Sequence, residues 1–208
     1  ETAARLLANG NMVAWFQGRM EFGPRALGAR SILADPRSTH VQRDLNLRVK
    51  KRESFRPFAP VVLEEVASEW FKLGSPSPYM QVVCKVKNEH LRSSPGLPEE
   101  KTFANQAHSV IPAVTHIDDT ARVQTVNSAG NASLYKLLKE FYGLSGCPIL
   151  VNTSFNVRGE PIVCSPTDAY RCFLNTDLDY LAVGPFLLNQ KEQDQMTRWR
   201  LQQDFTPD

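Results

Sequence analysis

Brief apolar runs that alternate with helix-patterned segments constrain this chain more than any other feature. Residues 12–16, 58–63, 79–86, 121–126 and 148–151 read as strands, short and bounded by turn residues. Between them, residues 2–8 place Ala3, Leu6 and Leu7 at helical spacing and close on Asn9-Gly10. Ser38 or Thr39 stands where it can cap a helix to about Lys50, with Val41, Leu45 and Arg48 or Val49 on one face. Residues 63–71 suit a helix with Val66, Trp70 and Phe71 inward, and 133–142 set Leu134, Leu137, Leu138 and Phe141 on one stripe. Ser165, Pro166 and Asp168 fall at N-cap, N1 and N3, close to a capping box. Residues 180–188 read as a last strand, 88–110 as a polar, Pro-containing loop, and 189–208 as a loosely held polar tail. Strands interleaved with helices predict an α/β or α+β fold.

Composition narrows the class. Eleven Phe, three Trp and five Tyr beside a net charge of +2 exclude a disordered chain. The longest apolar runs fall far short of the roughly 20 residues a spanning helix needs, so no membrane partner is expected. Cys84, Cys147, Cys164 and Cys172 form no CxxC pair; they read as reduced, mostly buried thiols of a cytoplasmic protein, with no metal site among them. With no signal peptide and no initiator Met, the sequence reads as a piece of a longer protein.

The net charge conceals an asymmetry. Residues 19–56 hold ten Lys/Arg against four Asp/Glu, a local excess of +6 offset by −4 over the remainder. Two basic segments lie within this stretch. The first, 18–38 (GRMEFGPRALGARSILADPRS), presents Arg19, Arg25 and Arg30 from a tight irregular run, where guanidinium groups suit phosphate or carboxylate. It also reads as a solvated basic loop with Glu21 and Asp35 as ion-pair partners. The second, 47–60 (LRVKKRESFRPFAP), crowds Lys50, Lys51, Arg52 and Arg56 at a helix end; dipole complementation explains one or two of them, less easily all four. Phe55 and Phe58 read as core.

A third segment, 148–169, ends a buried strand in Asn152-Thr153-Ser154-Phe155-Asn156. Polar groups at the end of a buried strand face a cleft or make a turn, and both readings stand. In 114–126, His116 with Asp118 and Asp119 invites a metal site, but no other histidine has ligand spacing, so the stretch reads as a turn before a strand. Arg122 at that strand's start is a further anion ligand.

The segments GRMEFGPRALGARSILADPR, KRESFRPFAPVV, PAVTHIDDTARVQTV and NTSFNVRGEPIVCSPTDAYRCF, followed by LDYLAVGPF, together resemble the C-terminal domain of the NodU/CmcH O-carbamoyltransferase family. The resemblance runs in order from about residue 3 to 188. It implies a YrdC-like single domain over 1–188, an open twisted mixed sheet flanked by helices. It further implies that this domain binds ATP, accompanied by Mg²⁺, and carbamoyl phosphate, and forms carbamoyl-adenylate. An N-terminal actin-like domain of the same chain then transfers the carbamoyl group to a hydroxyl acceptor. YrdC-like proteins carry Lys-x-Arg and Ser-x-Asn pairs, matched by Lys50-x-Arg52 and Ser154-x-Asn156. The resemblance implies that Arg25, Arg30, Lys50, Arg56, Arg122, Asn152 and Ser154 line the site, with Arg19, Arg52 and Asn156 as further candidates. Arg25 and Lys50 are assigned to ATP phosphates, Arg56, Arg122 and Ser154 to carbamoyl phosphate, and Asn152 to its amide. Lys50, Arg56, Arg122 and Ser154 are the catalytic candidates, and no carboxylate pair offers itself for Mg²⁺.

Two rival readings differ in class. A basic groove of a YrdC-like fold could bind RNA, although the basic residues sit in tight Gly- and Pro-containing segments and the overall charge is near neutral. Alternatively, the domain binds nucleotide only as a structural partner to the rest of its chain.

Overall fold

The computed structural model describes residues 1–92 and 109–193. Eight strands form one open sheet in the order β4-β5-β3-β6-β2-β1-β7-β8. These are β1 (Val13–Phe16), β2 (Arg30–Ala34), β3 (Ala59–Leu63), β4 (Val82–Lys85), β5 (Thr120–Val126), β6 (Ile149–Ser154), β7 (Tyr180–Val183) and β8 (Phe186–Asn189). The sheet is mixed: β1–β7 and β3–β5 are parallel, and the other five pairings antiparallel. Every residue of β1, β2 and β3 is buried, so these strands are covered on both faces, while β4 and β8 make exposed edges.

Among the described residues, five α-helices flank the sheet: α1 (Thr2–Ala8), α2 (Val41–Asp44), α3 (Ala67–Trp70), α4 (Ala132–Ser145) and α5 (Pro166–Leu174). α1 packs on α4, which lies against β3 and β6, and α5 packs on β1 and β7. In α4 the Asn131 side chain accepts from the Leu134 amide, the expected Leu134, Leu137, Leu138 and Phe141 are buried, and Gly146 closes the end in the left-handed region at φ 69°. The capping box of α5 is present: Ser165 Oγ accepts from the Asp168 amide at 3.1 Å and Asp168 Oδ2 from the Ser165 amide at 2.8 Å. The expected single-domain α/β fold, an open mixed sheet with flanking helices, is the one observed.

Several local expectations are corrected. Residues 18–38 are not irregular throughout, because 30–34 form β2, a central strand between β1 and β6. The helix after residue 38 has His40, not Ser38 or Thr39, at its N-cap, and α2 continues as a π-helical turn, Leu45–Val49, with Val49 buried and Arg48 exposed. Residues 63–71 divide into a 3₁₀ turn, Glu64–Val66, and α3; Phe71 is buried, but Val66 and Trp70 only half-buried. The strand expected over 79–86 is confined to β4, and the last strand is a hairpin, β7 and β8, turning at Gly184-Pro185. Phe58 is core whereas Phe55 is exposed. Cys147 and Cys172 are buried, Cys84 half-buried and Cys164 exposed. The excursion expected in 88–110 falls largely on 93–108, and the polar tail largely on 194–208, outside the described residues.

Candidate anion-binding site

The antiparallel pairing of β3 with β6 and the parallel pairing of β3 with β5 bring the start of β3, the start of β5 and the last residues of β6 to one end of the sheet. A cleft of about 420 Å³ opens there. Its walls hold Arg25 from the loop before β2, Arg52 and Arg56 from the segment entering β3, His116 and Arg122 around the start of β5, and Asn152, Thr153 and Ser154 from the end of β6. A second depression of about 410 Å³ adjoins it, sharing Pro24, Arg25, Met80 and Arg122 and extending to Phe22 and Tyr79.

The charge in the cleft is one-sided. No carboxylate is among its lining residues, so four guanidinium groups face one space. Burial, and next the like charge of Arg25, pulls the Arg122 pKa below its ordinary value. Burial, and next Arg56, does the same to Arg52. Among the described residues the exposed Arg56 pairs loosely with Glu53 at 3.9 Å, and the same carboxylate partly offsets the shift on Arg52. A cation cluster repelling itself across a concave space is organised for an anion that the protein does not supply.

The presenting loop is held from within. Glu21 Oε1 accepts from the amides of Leu27 at 2.6 Å and Ala29 at 2.7 Å, so this carboxylate shapes the loop that carries Arg25, and its charge also acts on Arg30. Gly28 sits at φ 106°, and a Cβ there would lie 2.3 Å from Leu134 Cδ2, so only glycine lets the loop reach α4. Gln124, buried on β5, donates to Leu27 O at 2.8 Å and accepts from Asn152 Nδ2 at 2.6 Å. That amide also donates to Ala26 O at 3.1 Å. With both its N–H groups engaged, Asn152 is fixed in orientation, and its Oδ1 is buried without a partner.

Lys50 supports the floor. Its buried ammonium shares its three hydrogens among four acceptors: Ser154 O, Ser154 Oγ at 3.2 Å, Asn156 O at 2.9 Å and Asn156 Oδ1 at 2.8 Å. The Lys-x-Arg and Ser-x-Asn pairs therefore meet, although 104 residues separate Lys50 from Ser154. Burial, reinforced by Arg52, pulls the Lys50 pKa down to about 7. Arg52 Nε donates to Asn46 Oδ1 at 2.7 Å, and its guanidinium lies 5.1 Å from the centre of the Phe58 ring.

Of the ten residues singled out in the sequence, six line the cleft: Arg25, Arg52, Arg56, Arg122, Asn152 and Ser154. Lys50 and Asn156 are bonded behind Ser154 rather than among the lining residues. Arg30 is placed elsewhere: buried on β2, it donates to Gln17 O, Gly18 O and Ala29 O and stacks 3.5 Å from the Phe16 ring centre. Arg19 borders a separate depression with Glu21 and Tyr79. Residue pattern marks neither Glu21 nor Gln124 as a site-builder, and offers His116 only as a metal ligand or turn residue. A buried Gln in the strand-like TARVQTV was the one available signal for Gln124.

His116 is held in a chain of three side chains. Its Nδ1 lies 2.9 Å from Thr120 Oγ1, which donates to Asp118 Oδ1 at 2.7 Å. The hydroxyl has given its one hydrogen to the carboxylate, so it accepts from His116, and Nδ1 carries the imidazole proton. Burial lowers the His116 pKa; Asp118 opposes the shift and Arg122 adds to it.

Among the described residues, no group of three or more His, Cys, Asp or Glu is placed to hold a metal ion. The cleft offers Mg²⁺ no carboxylate, so the chain's own residues there do not fit that ion. No helix of the described residues is long and apolar enough to cross a membrane.

Comparison with known proteins extends the geometry. Residues 4–190 match the family model described as Carbamoyltransferase C-terminus. The chain is 53% identical over 214 residues to the uncharacterized protein sll1178 of Synechocystis sp., covering 99% of this chain and 34% of that protein. Nodulation protein NolO of Bradyrhizobium diazoefficiens is 47% identical over 193 residues, which cover 91% of this chain and 32% of NolO. The 3'-hydroxymethylcephem-O-carbamoyltransferase of Amycolatopsis lactamdurans is 41% identical over 162 residues, 78% of this chain and 27% of the enzyme. The chain thus spans about a third of the length of these relatives. Among solved structures, full-length HypF in its phosphate- and nucleotide-bound form superposes with a TM-score of 0.52 at 20% identity, covering 90% of this chain and 20% of HypF.

Proposed function

Because this chain belongs to the carbamoyltransferase C-terminus family, we propose that its cleft binds ATP and carbamoyl phosphate and forms carbamoyl-adenylate. On this reading, the remainder of a longer chain passes the carbamoyl group to a hydroxyl acceptor. The observation that carries the reading is the convergence of Arg25, Arg52, Arg56 and Arg122 on one concave space without a carboxylate among its lining residues.

The reaction suits such a site. Carbamoyl phosphate gives up its phosphoryl group to water, leaving carbamate and inorganic phosphate. A carbamate oxygen then attacks the α-phosphorus of ATP, and pyrophosphate leaves as the mixed anhydride forms. Neither step requires a covalent nucleophile from the protein. What both require is alignment of anions that repel one another and neutralisation of charge on the leaving phosphates, which fixed guanidinium groups supply. That Arg25 and Arg122 line both adjoining spaces supports a role in drawing two phosphorylated ligands together. Arg56 holds carbamoyl phosphate with Asn152 beside its amide, while Ser154, its hydroxyl hydrogen given to Asn156 Oδ1, shapes the wall. Lys50 acts from beneath, fixing the Ser154–Asn156 turn. Magnesium arrives on the triphosphate, and no step is assigned to it.

Nothing in the fold or the matches favours the RNA-binding alternative. The reading is tested by mixing the chain with ATP and carbamoyl phosphate and measuring pyrophosphate. Release that requires both substrates is expected; release from ATP alone, or none, rejects it.

A further inference from the structure

We propose that His116 is the specificity residue of this cleft, its Nε2 accepting a hydrogen bond from the carbamoyl –NH₂ and so separating carbamoyl phosphate from other acyl phosphates. This rests on the reading of the cleft given above and names how that site recognises its ligand.

The lining is dominated by donors. Four guanidinium groups present only N–H, which matches phosphate oxygens and carbonyl oxygens alike. A cleft built from those alone accepts any acyl phosphate. His116 differs because the hydrogen-bond chain to Thr120 and Asp118 places the ring proton on Nδ1. The opposite nitrogen, Nε2, then carries a lone pair. It accepts no hydrogen bond from a described residue, and His116 is half-buried and lines the cleft. Burial lowers the His116 pKa, with Asp118 opposing and Arg122 adding to the shift, which favours the neutral ring and its lone pair. A phosphate dianion has nothing to donate to it. A planar –NH₂ does. An acceptor of fixed sense amid arginines fits a carbamoyl group and leaves a methyl in its place unrecognised.

Adenine also carries an –NH₂, so the test must separate the two sources. Calorimetric titration of the full chain with carbamoyl phosphate, acetyl phosphate and ATP, each alone, provides three arms. His116→Ala should weaken carbamoyl phosphate about tenfold, the scale of one lost hydrogen bond, with acetyl phosphate and ATP little changed. His116→Gln, which retains an acceptor, should recover part of the loss. Thr120→Val keeps the ring but releases its tautomer, and should narrow the carbamoyl-to-acetyl ratio without removing any group from the cleft wall. Equal weakening of both acyl phosphates, or an unmoved ratio in both the Ala and Val variants, overturns the proposal. Weakening confined to ATP also overturns it, in favour of adenine recognition. A parent chain that binds carbamoyl phosphate while the ratio stays fixed sinks this inference alone; a parent that binds none sinks the functional reading with it.

Discussion

The Lys50 ammonium donates to Asn156 Oδ1 across 2.8 Å, joining the end of the helical segment after α2 to the turn that follows β6. The same ammonium reaches Ser154 Oγ, and Ser154 Oγ donates to Asn156 Oδ1 at 2.7 Å. A buried cation therefore fixes the turn carrying the last polar residue of the cleft wall.

That arrangement has a pH consequence. In the unfolded chain Lys50 titrates near 10.5, and in the fold near 7. Between these values the unfolded state binds the extra proton, so this group's contribution makes stability rise with pH from about 7 toward 10.5. Below pH 7 its penalty is constant. An anion in the cleft favours the protonated form, so ATP binding at pH 8 should take up protons. Calorimetry in two buffers of different ionisation enthalpy measures the uptake, which should shrink at pH 5.5 and in Lys50→Met. Equal uptake in parent and variant would show that Lys50 does not sense the ligand.

Gly28→Ala should lower both stability and ATP affinity. The added Cβ would meet the fully buried Leu134 at 2.3 Å, in a backbone conformation that disfavours a side chain. The overpacking costs about 1–3 kcal/mol, and displacement of the loop moves Arg25. Chemical denaturation and ATP titration check the two effects; a variant matching the parent in both would mean the loop is not pinned on α4.

Leu137→Ala tests the packing instead of the site. Leu137 is buried on α4, so the substitution should cost about 2–5 kcal/mol by leaving a cavity. Ligand affinity should be retained where the variant remains folded. A midpoint of denaturation close to the parent's would contradict the packing described.

Much of this architecture could be read from residue patterns, and the failures have physical causes. The stripe on α4 and the Ser165–Asp168 cap are local signals, and both appear in the structure as expected. β2 was hidden because it opens on Arg30 directly after a glycine-containing run. Its charge is accommodated in the sheet by three carbonyls, the Phe16 ring and the nearby Glu21 carboxylate, which no local pattern reveals. The same limit applies to the site. Arg25 and Arg30 look equivalent in sequence, yet the pairing of β2 with β1 buries one and leaves the other on the cleft. Residue type announced an anion site, whereas direction depended on strand register. The acceptor role of His116 depends on a hydroxyl four residues away whose hydrogen is taken by Asp118.

The measurement that bears most directly on the cleft is calorimetric titration of the parent chain and of an Arg25→Ala/Arg122→Ala double variant with ATP and carbamoyl phosphate separately. The two arginines border both lobes of the space. The account predicts that the parent binds each ligand at one site, and that the folded double variant loses at least tenfold in affinity for both, about 1.4 kcal/mol or more each. Parent-like affinity for either ligand in the folded double variant would contradict it.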